Sequence, residues 1–282
     1  MAGVLCQERN PVSTFRYAAR DTFLTDLFQG GASYGTLNNA RSAISLISQT
    51  DITSNKLISR FFKGVFRMRP TQPRCQFTWD VQKVISLLES WWPLDRIPLE
   101  QLTWRLAMLL ALASGQRVQT LAAISLTNLR WQEGRGCQII FTELLKTRPG
   151  VAPLVLWFPD FPDQPRVCVP TTIRRYLRET QGLRRGNNQL LLCTRKPFGP
   201  ASRDTIARWL RTTLTKAGIS SDYAGHSVRH AATSAAARRG VDWNSIRKVA
   251  SWSAQSRVFA SHYNRPLESQ SFAASVLTGQ DP

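Results

Sequence analysis

The sequence predicts an α+β protein, mainly α with a small antiparallel β-sheet, in which a short helical domain precedes a larger one. Three observations carry that prediction. Helical periodicity runs through most of the chain. It is strongest in Leu99 to Gly115, LEQLTWRLAMLLALASG, whose apolar face is broad enough for the centre of a domain. One place reads as a strand pair: Cys137 to Thr142 (CQIIFT) and Val151 to Phe158 (VAPLVLWF), parted by the turn text LLKTRPG. Arg69 to Gln76 holds two Pro and two Arg without periodicity, and reads as a linker. The expected division is a helical domain over 1–70, a linker over 71–76 and a second domain over 77–282.

In chain order, Thr22 to Phe28 reads as a short amphipathic helix, and GGASYG after it as a turn. Thr36 to Ser48 has a Thr as candidate N-cap and sets Leu37, Ala40, Ile44 and Ile47 on one face. Asn38, Asn39, Arg41 and Ser42 lie largely off that stripe. Leu57 to Met68 is a third helix, with Arg60, Lys63 and Arg67 among its polar residues. Thr78 and Asp80 start a helix whose apolar face is Val81, Val84, Ile85 and Leu88. After Gly115, Gln116-Arg117-Val118 opens another helix with Leu121, Ile124 and Leu126 apolar, and Arg117 at its start is placed to point into a cleft. Lys146 falls near the tip of the hairpin. Thr171 to Thr180 is a helix, Gln189 to Cys193 a short apolar run, and Ser202-Arg203-Asp204 caps a helix to Ala217 with Ile206, Leu210 and Leu214 inward.

Charge narrows the function. Lys and Arg number 37 against 18 Asp and Glu, a net +19 over 282 residues, the footprint of a polyanion binder. Both predicted domains share the excess, so both are expected to face the same polyanion. The longest apolar run, Leu106 to Ala113, is too short to span a bilayer, so no membrane association is expected. Five scattered Cys (Cys6, Cys75, Cys137, Cys168 and Cys193) form no C-x-x-C pair, which argues against zinc and against a disulfide framework. Reduced thiols fit the cytosol or nucleus.

The chemistry concentrates between Ala224 and Pro266, AGHSVRHAATSAAARRGVDWNSIRKVASWSAQSRVFASHYNRP. His226 and Arg229 stand one helical turn apart, on one face of an Ala-rich helix, a sound pair for holding a phosphate. Gly240 turns the chain into a second helix. Trp252 follows in Ser-Trp-Ser, and then Tyr263, a side chain able to form a covalent intermediate with a held phosphorus. His230 and His262 read as packing or exposed residues, and Tyr17, Tyr34, Tyr176 and Tyr223 lack partner motifs.

The order Arg117, Lys146, His226-x-x-Arg229, Trp252, Tyr263 resembles the active-site set of the tyrosine recombinase (phage integrase) superfamily. The flanking text ASGQRVQTLAAI, LLKTRPG, FPDFPDQPRVCV, SRDTIARWL and SWSAQSRVFASHYNRP resembles one branch, the recombinases of cryptons and DIRS-type elements. The resemblance runs from about Ser33 to Pro266. It implies a helical, SAM-like DNA-binding domain followed by a catalytic domain, and a site-specific DNA recombinase or integrase of a mobile element that cuts and rejoins DNA through a 3′-phosphotyrosine.

The same resemblance implies the roles. Tyr263 is the nucleophile. Arg117 and Arg229 bind the scissile phosphate. Lys146 protonates the leaving 5′-oxygen. His226 moves the proton at Tyr263 or donates to the phosphate, and Trp252 donates its indole N–H and packs the site. Preorganised cations of this kind supply roughly 3 kcal/mol each to a transition state. No cofactor and no metal are expected, because a phosphotyrosine conserves the bond energy and no clustered carboxylates offer to hold a cation. Asn38, Asn39, Arg41, Lys63 and Arg67 are the candidate DNA contacts of the first domain. Double-stranded DNA is the expected partner, with a homo-oligomer (dimer on one site, tetramer at synapsis) and nuclear location.

Two departures qualify the expectation. Thr120 stands where the superfamily commonly has Glu or Asp three residues after the first Arg. The superfamily also has a long helix ahead of the one matching Thr22 to Phe28, and this sequence has little room for it, which predicts a truncated clamp. The alternative is an element-derived DNA-binding protein that has lost recombination. A third reading is a DNA-relaxing enzyme of the same chemistry. The apolar tail Ser271 to Leu277 is expected to dock on a neighbouring protomer.

Overall fold

The structure is a computed structural model and describes residues 22–47, 55–70, 77–141, 153–252 and 265–267. The chain divides into two compact units, residues 1–74 and 75–282.

In the first unit, three helices among the described residues surround one small core: α1, described over residues 22–29, α2, Tyr34–Ile47, and α3, Lys56–Met68. Asn55 starts α3 by accepting from the N–H groups of Leu57 and Ile58. Leu24, Leu37, Ile58, Phe62 and Val65 are buried together. Edge-to-face aromatic pairs join them, Phe28 with Phe61 at 6.1 Å and Tyr34 with Phe62 at 5.8 Å. Three expectations need correction. Helix α2 starts at Tyr34, and Ser33 rather than Thr36 is its cap, since Ser33 Oγ accepts from Thr36 N–H at 3.2 Å. Ile47 is not on the buried face: it is 86% exposed, because the core lies under Leu37, Ala40 and Ile44 and ends short of the last residue. Arg69 is no linker residue, as its guanidinium donates to the carbonyls of Phe28 and Ala32 and lies 4.1 Å over the Phe28 ring. The linker 71–76 lies outside the described residues.

In the second unit, α4 (Val81–Ser90) begins at Asp80, whose carboxylate accepts from Gln82 N–H. Thr78 is not part of that cap; it is buried and its N–H donates to the Pro266 carbonyl at 2.9 Å. Helix α5, Leu99–Ser114, is buried almost all round and packs against helices introduced below as α7, α8 and α9. It carries one charge into the core. Arg105 is fully buried, donating to the carbonyls of Leu88 and Arg166, and burial pushes its pKa down to about 10 against a smaller opposing effect of Glu89.

Helix α6 spans only Val118–Ala122. The longer helix expected through Leu126 does not form, because the backbone at Ile124 and Leu126 pairs instead with Leu190 and Asn188. The sheet has three antiparallel strands in the order β1-β2-β3: Leu129–Gln132, Gly136–Phe141 and Leu154–Pro159. The β2–β3 hairpin runs in register from Gly136 opposite Pro159 to Phe141 opposite Leu154. Its tip lies outside the described residues. Strand β1 was not expected. Helices α7 (Val169–Thr180), α8 (Arg203–Lys216), α9 (Ser227–Arg238) and α10 (Trp243–Val249) complete the unit. Ser202 caps α8, with Ile206, Leu210 and Leu214 buried as periodicity requires. No helix among the described residues is long and apolar enough to cross a membrane.

Candidate active site

The site grows from the end of α5. A helix that stops on a left-handed residue turns sharply, and Gly115 does so here at φ 56°. A side chain at Gly115 would meet Thr233 Cγ2 of α9 at 3.2 Å, so the turn sits directly on that helix. Gln116 follows, buried, and then Arg117, the half-buried N-cap residue of α6. Thr120 is buried one turn on.

The second wall is α9. Gly225 leads into it against α8, where a Cβ would come within 2.8 Å of the Ala207 carbonyl. His226 is the N-cap residue and exposed, its ring 6.2 Å from that of His230. Ser227 accepts from the Trp79 indole at 2.9 Å, which fixes the start of the helix. Arg229 is 5% exposed. Its Nη1 donates to the Gly115 carbonyl and its Nη2 to the Ala250 carbonyl, both at 2.7 Å. The guanidinium lies 4.3 Å over the ring of Trp252, which is buried. His226 and Arg229 thus differ in environment: the first faces solvent ahead of the first helical turn, the second is tied to main-chain carbonyls.

The third wall is the exit of α10. Asp242 caps that helix, and hydrogen bonds from Ser245 and the Asn244 N–H hold its carboxyl below the usual range. Ile246, Ala250 and Trp252 pack together against Ala236 and Ala237 of α9. Beyond it, Arg265, two positions after Tyr263 in the sequence, donates its N–H to Ser234 Oγ at 3.1 Å, and Arg238 donates to the Arg265 carbonyl.

Four of the predicted active-site residues, Arg117, His226, Arg229 and Trp252, therefore stand on segments that meet where α5, α6, α9 and α10 end or begin. Lys146 and Tyr263 lie outside the described residues, as do His262, Cys6, Cys75, Tyr17 and the tail Ser271 to Leu277. Among the described residues no group of three or more His, Cys, Asp or Glu could hold a metal ion. The predicted DNA contacts belong to the first unit. Asn39, Lys63 and Arg67 are exposed. Arg41 stacks 4.7 Å over the Phe62 ring and Asn38 Oδ1 is buried, so these two pack against their own unit more than their position off the apolar stripe predicts. Gln116 was not expected to matter, although its place between a helix-ending Gly and an Arg was visible.

The profile of the phage integrase family matches residues 94–270, well over half of the chain. The chain belongs to that family. No curated protein sequence matches the chain. Solved integrases and recombinases share the fold. A lambda integrase dimer bound to a COC′ core site is 17% identical at a TM-score of 0.51, over 89% of this chain and 65% of that one. XerH bound to palindromic difH substrate, a post-cleavage complex, is 15% identical at 0.59, over 86% and 68%. The Tn1549 transposon integrase with transposon right end DNA is 16% identical at 0.57, over 93% and 83%. The phage integrase match covers α5 to α10, all of the elements that build the site.

Proposed function

We propose that this phage integrase family chain is a site-specific DNA recombinase of a mobile element of the crypton or DIRS type. The observation that supports the reading is Arg229 bridging the Gly115 and Ala250 carbonyls over Trp252, with Arg117 two residues beyond Gly115 and His226 three residues ahead of Arg229, in a chain of this family. The Tyr263 oxygen attacks the scissile phosphorus as the bond from phosphorus to the 5′-oxygen breaks. His226, exposed at the site's edge, takes the tyrosine proton. Lys146 gives a proton to the leaving 5′-oxygen. Arg117 and Arg229 hold charge on the non-bridging oxygens. One phosphodiester is exchanged for another, so rejoining to a new 5′-hydroxyl is energetically even.

The helical unit adds phosphate contacts through Asn39, Lys63 and Arg67 on its surface, with Asn38 and Arg41 beside them. Dimers on one site and tetramers at synapsis are the proposed assemblies. A lambda integrase dimer on a core site and a tetramer on a Holliday junction give the precedent. A nuclear location is part of this proposal, given DNA as partner and a crypton- or DIRS-type origin.

The test is a nicked duplex taken from DNA flanking the coding segment, incubated with the protein and a chelator. A denaturant-resistant adduct that disappears in Tyr263→Phe is expected, with DNA binding retained and weakened steeply by salt. Salt-sensitive binding without an adduct would favour the DNA-binding relic instead.

A further inference from the structure

Two cross-ties join the turn after α5 to the turn after α10. Arg229 makes the first, bridging the carbonyls of Gly115 and Ala250. The second is neutral and belongs to none of the roles above. Gln116 is 4% exposed, and its side-chain amide nitrogen donates to the Val249 carbonyl and, at 3.0 Å, to the Ser251 hydroxyl. Both of its N–H donors are thereby directed at one turn, and a side chain without two donors cannot replace it.

That turn needs holding. Ser251 is buried with φ 58°, a left-handed conformation that a residue with a Cβ adopts only when its surroundings impose it. The reversal at Ser251 returns the Trp252 N–H to the Arg247 carbonyl at 2.9 Å and sets the indole under Arg229. Gln116 also adjoins Arg117 directly, so any shift of its side chain is felt at the start of α6.

We infer that Gln116 is a positioning residue for strand cleavage. Its amide locks the 249–252 turn onto the turn carrying Arg117, and so fixes Arg117, Arg229 and Trp252 relative to one another before DNA binds. The inference rests on the recombinase reading for its catalytic consequence, and on the geometry alone for the lock.

Two substitutions test it. Gln116→Glu keeps the size and leaves at most one donor, that of a protonated carboxyl; Gln116→Leu removes the polar group. Hydrogen exchange reads the lock. Exchange in Val249–Trp252 is expected to accelerate about tenfold or more in both variants as local opening becomes easier, while residues 102–111 of α5 stay protected. Single-turnover adduct formation on the nicked duplex reads the positioning. The rate is expected to fall about 10- to 100-fold, the scale of a small misplacement at a reacting centre, with Kd for the same duplex within about twofold. Adding Ser251→Gly to Gln116→Leu is expected to recover part of the rate, because Gly adopts φ 58° unaided.

Unchanged exchange at Val249–Trp252 would overturn the lock. An unchanged adduct rate, or a Kd that weakens in step with the rate, would overturn the positioning role. A wild-type protein that forms no adduct would instead refute the recombinase reading and the catalytic consequence with it, and exchange would then decide the lock by itself.

Discussion

Replacing Arg229 should destabilise the DNA-free protein before it affects any reaction. Arg229→Ala removes two charge-assisted hydrogen bonds at 2.7 Å and a cation–π contact at 4.3 Å. Bonds of that kind contribute about 1.5–3 kcal/mol each, and a desolvated cation–π contact about 1–2 kcal/mol. Releasing the guanidinium from burial returns several kcal/mol of hydration, so the net loss follows the range for broken buried polar contacts, about 3–5 kcal/mol. In a unit of this size each kcal/mol lowers Tm by about 2–4 °C, which places the expected loss at about 6–20 °C. Arg229→Lys offers a point charge that reaches one carbonyl at a time, and should retain about half of the stabilisation. Calorimetry without DNA, at low and high salt, is the assay. Burial makes the loss nearly independent of salt. A loss below about 3 °C on the same scale, alike for Ala and Lys, would refute the argument. It would mean that Arg229 does not hold the two turns together.

Other expectations follow from the same geometry. Arg105→Ala removes both hydrogen bonds of a fully buried side chain and empties its space in the core, leaving the Leu88 carbonyl with the Trp91 N–H alone, and should cost about 3–5 kcal/mol in urea unfolding, with Arg105→Met less damaging because it fills the space. Gly115→Ala meets both the left-handed backbone, about 1–2 kcal/mol, and Thr233 Cγ2. Adding Thr233→Ser should relieve the contact but not the backbone strain, and strictly additive effects would contradict that coupling. Burial pushes the Cys137 thiol up to about 12, so at pH 8 Cys193, half-buried, should react with iodoacetamide well before Cys137. Equal labelling by peptide mass spectrometry would contradict this.

The readable parts of the fold are those where one local signal suffices. Leu99 to Ser114 has a broad apolar face and stops at Gly115, and α8 has a Ser cap and a clear 3.6-residue period, so both were legible within a residue or two. The β2–β3 hairpin was legible because Leu154, Leu156 and Phe158 alternate inward. Strand β1 escaped because it is four residues long with only Leu129 buried, and its partner alone defines it. The end of α6 escaped for the same reason: the pairing of Ile124 with Leu190 is distant in sequence. At the site, residue types and order were legible, but burial was not. The His226-x-x-Arg229 spacing says nothing of the two carbonyls that draw Arg229 inward. Gln116 was missed because a single Gln carries no periodic signal, and its partners lie more than a hundred residues away.

The most direct test of the account is to trap the adduct on a nicked duplex, digest it, and map the DNA-bearing peptide and the DNA ends. The account predicts DNA joined through its 3′-phosphate to Tyr263, and a free 5′-hydroxyl on the released strand. DNA joined to another residue, or through a 5′-phosphate, would contradict it.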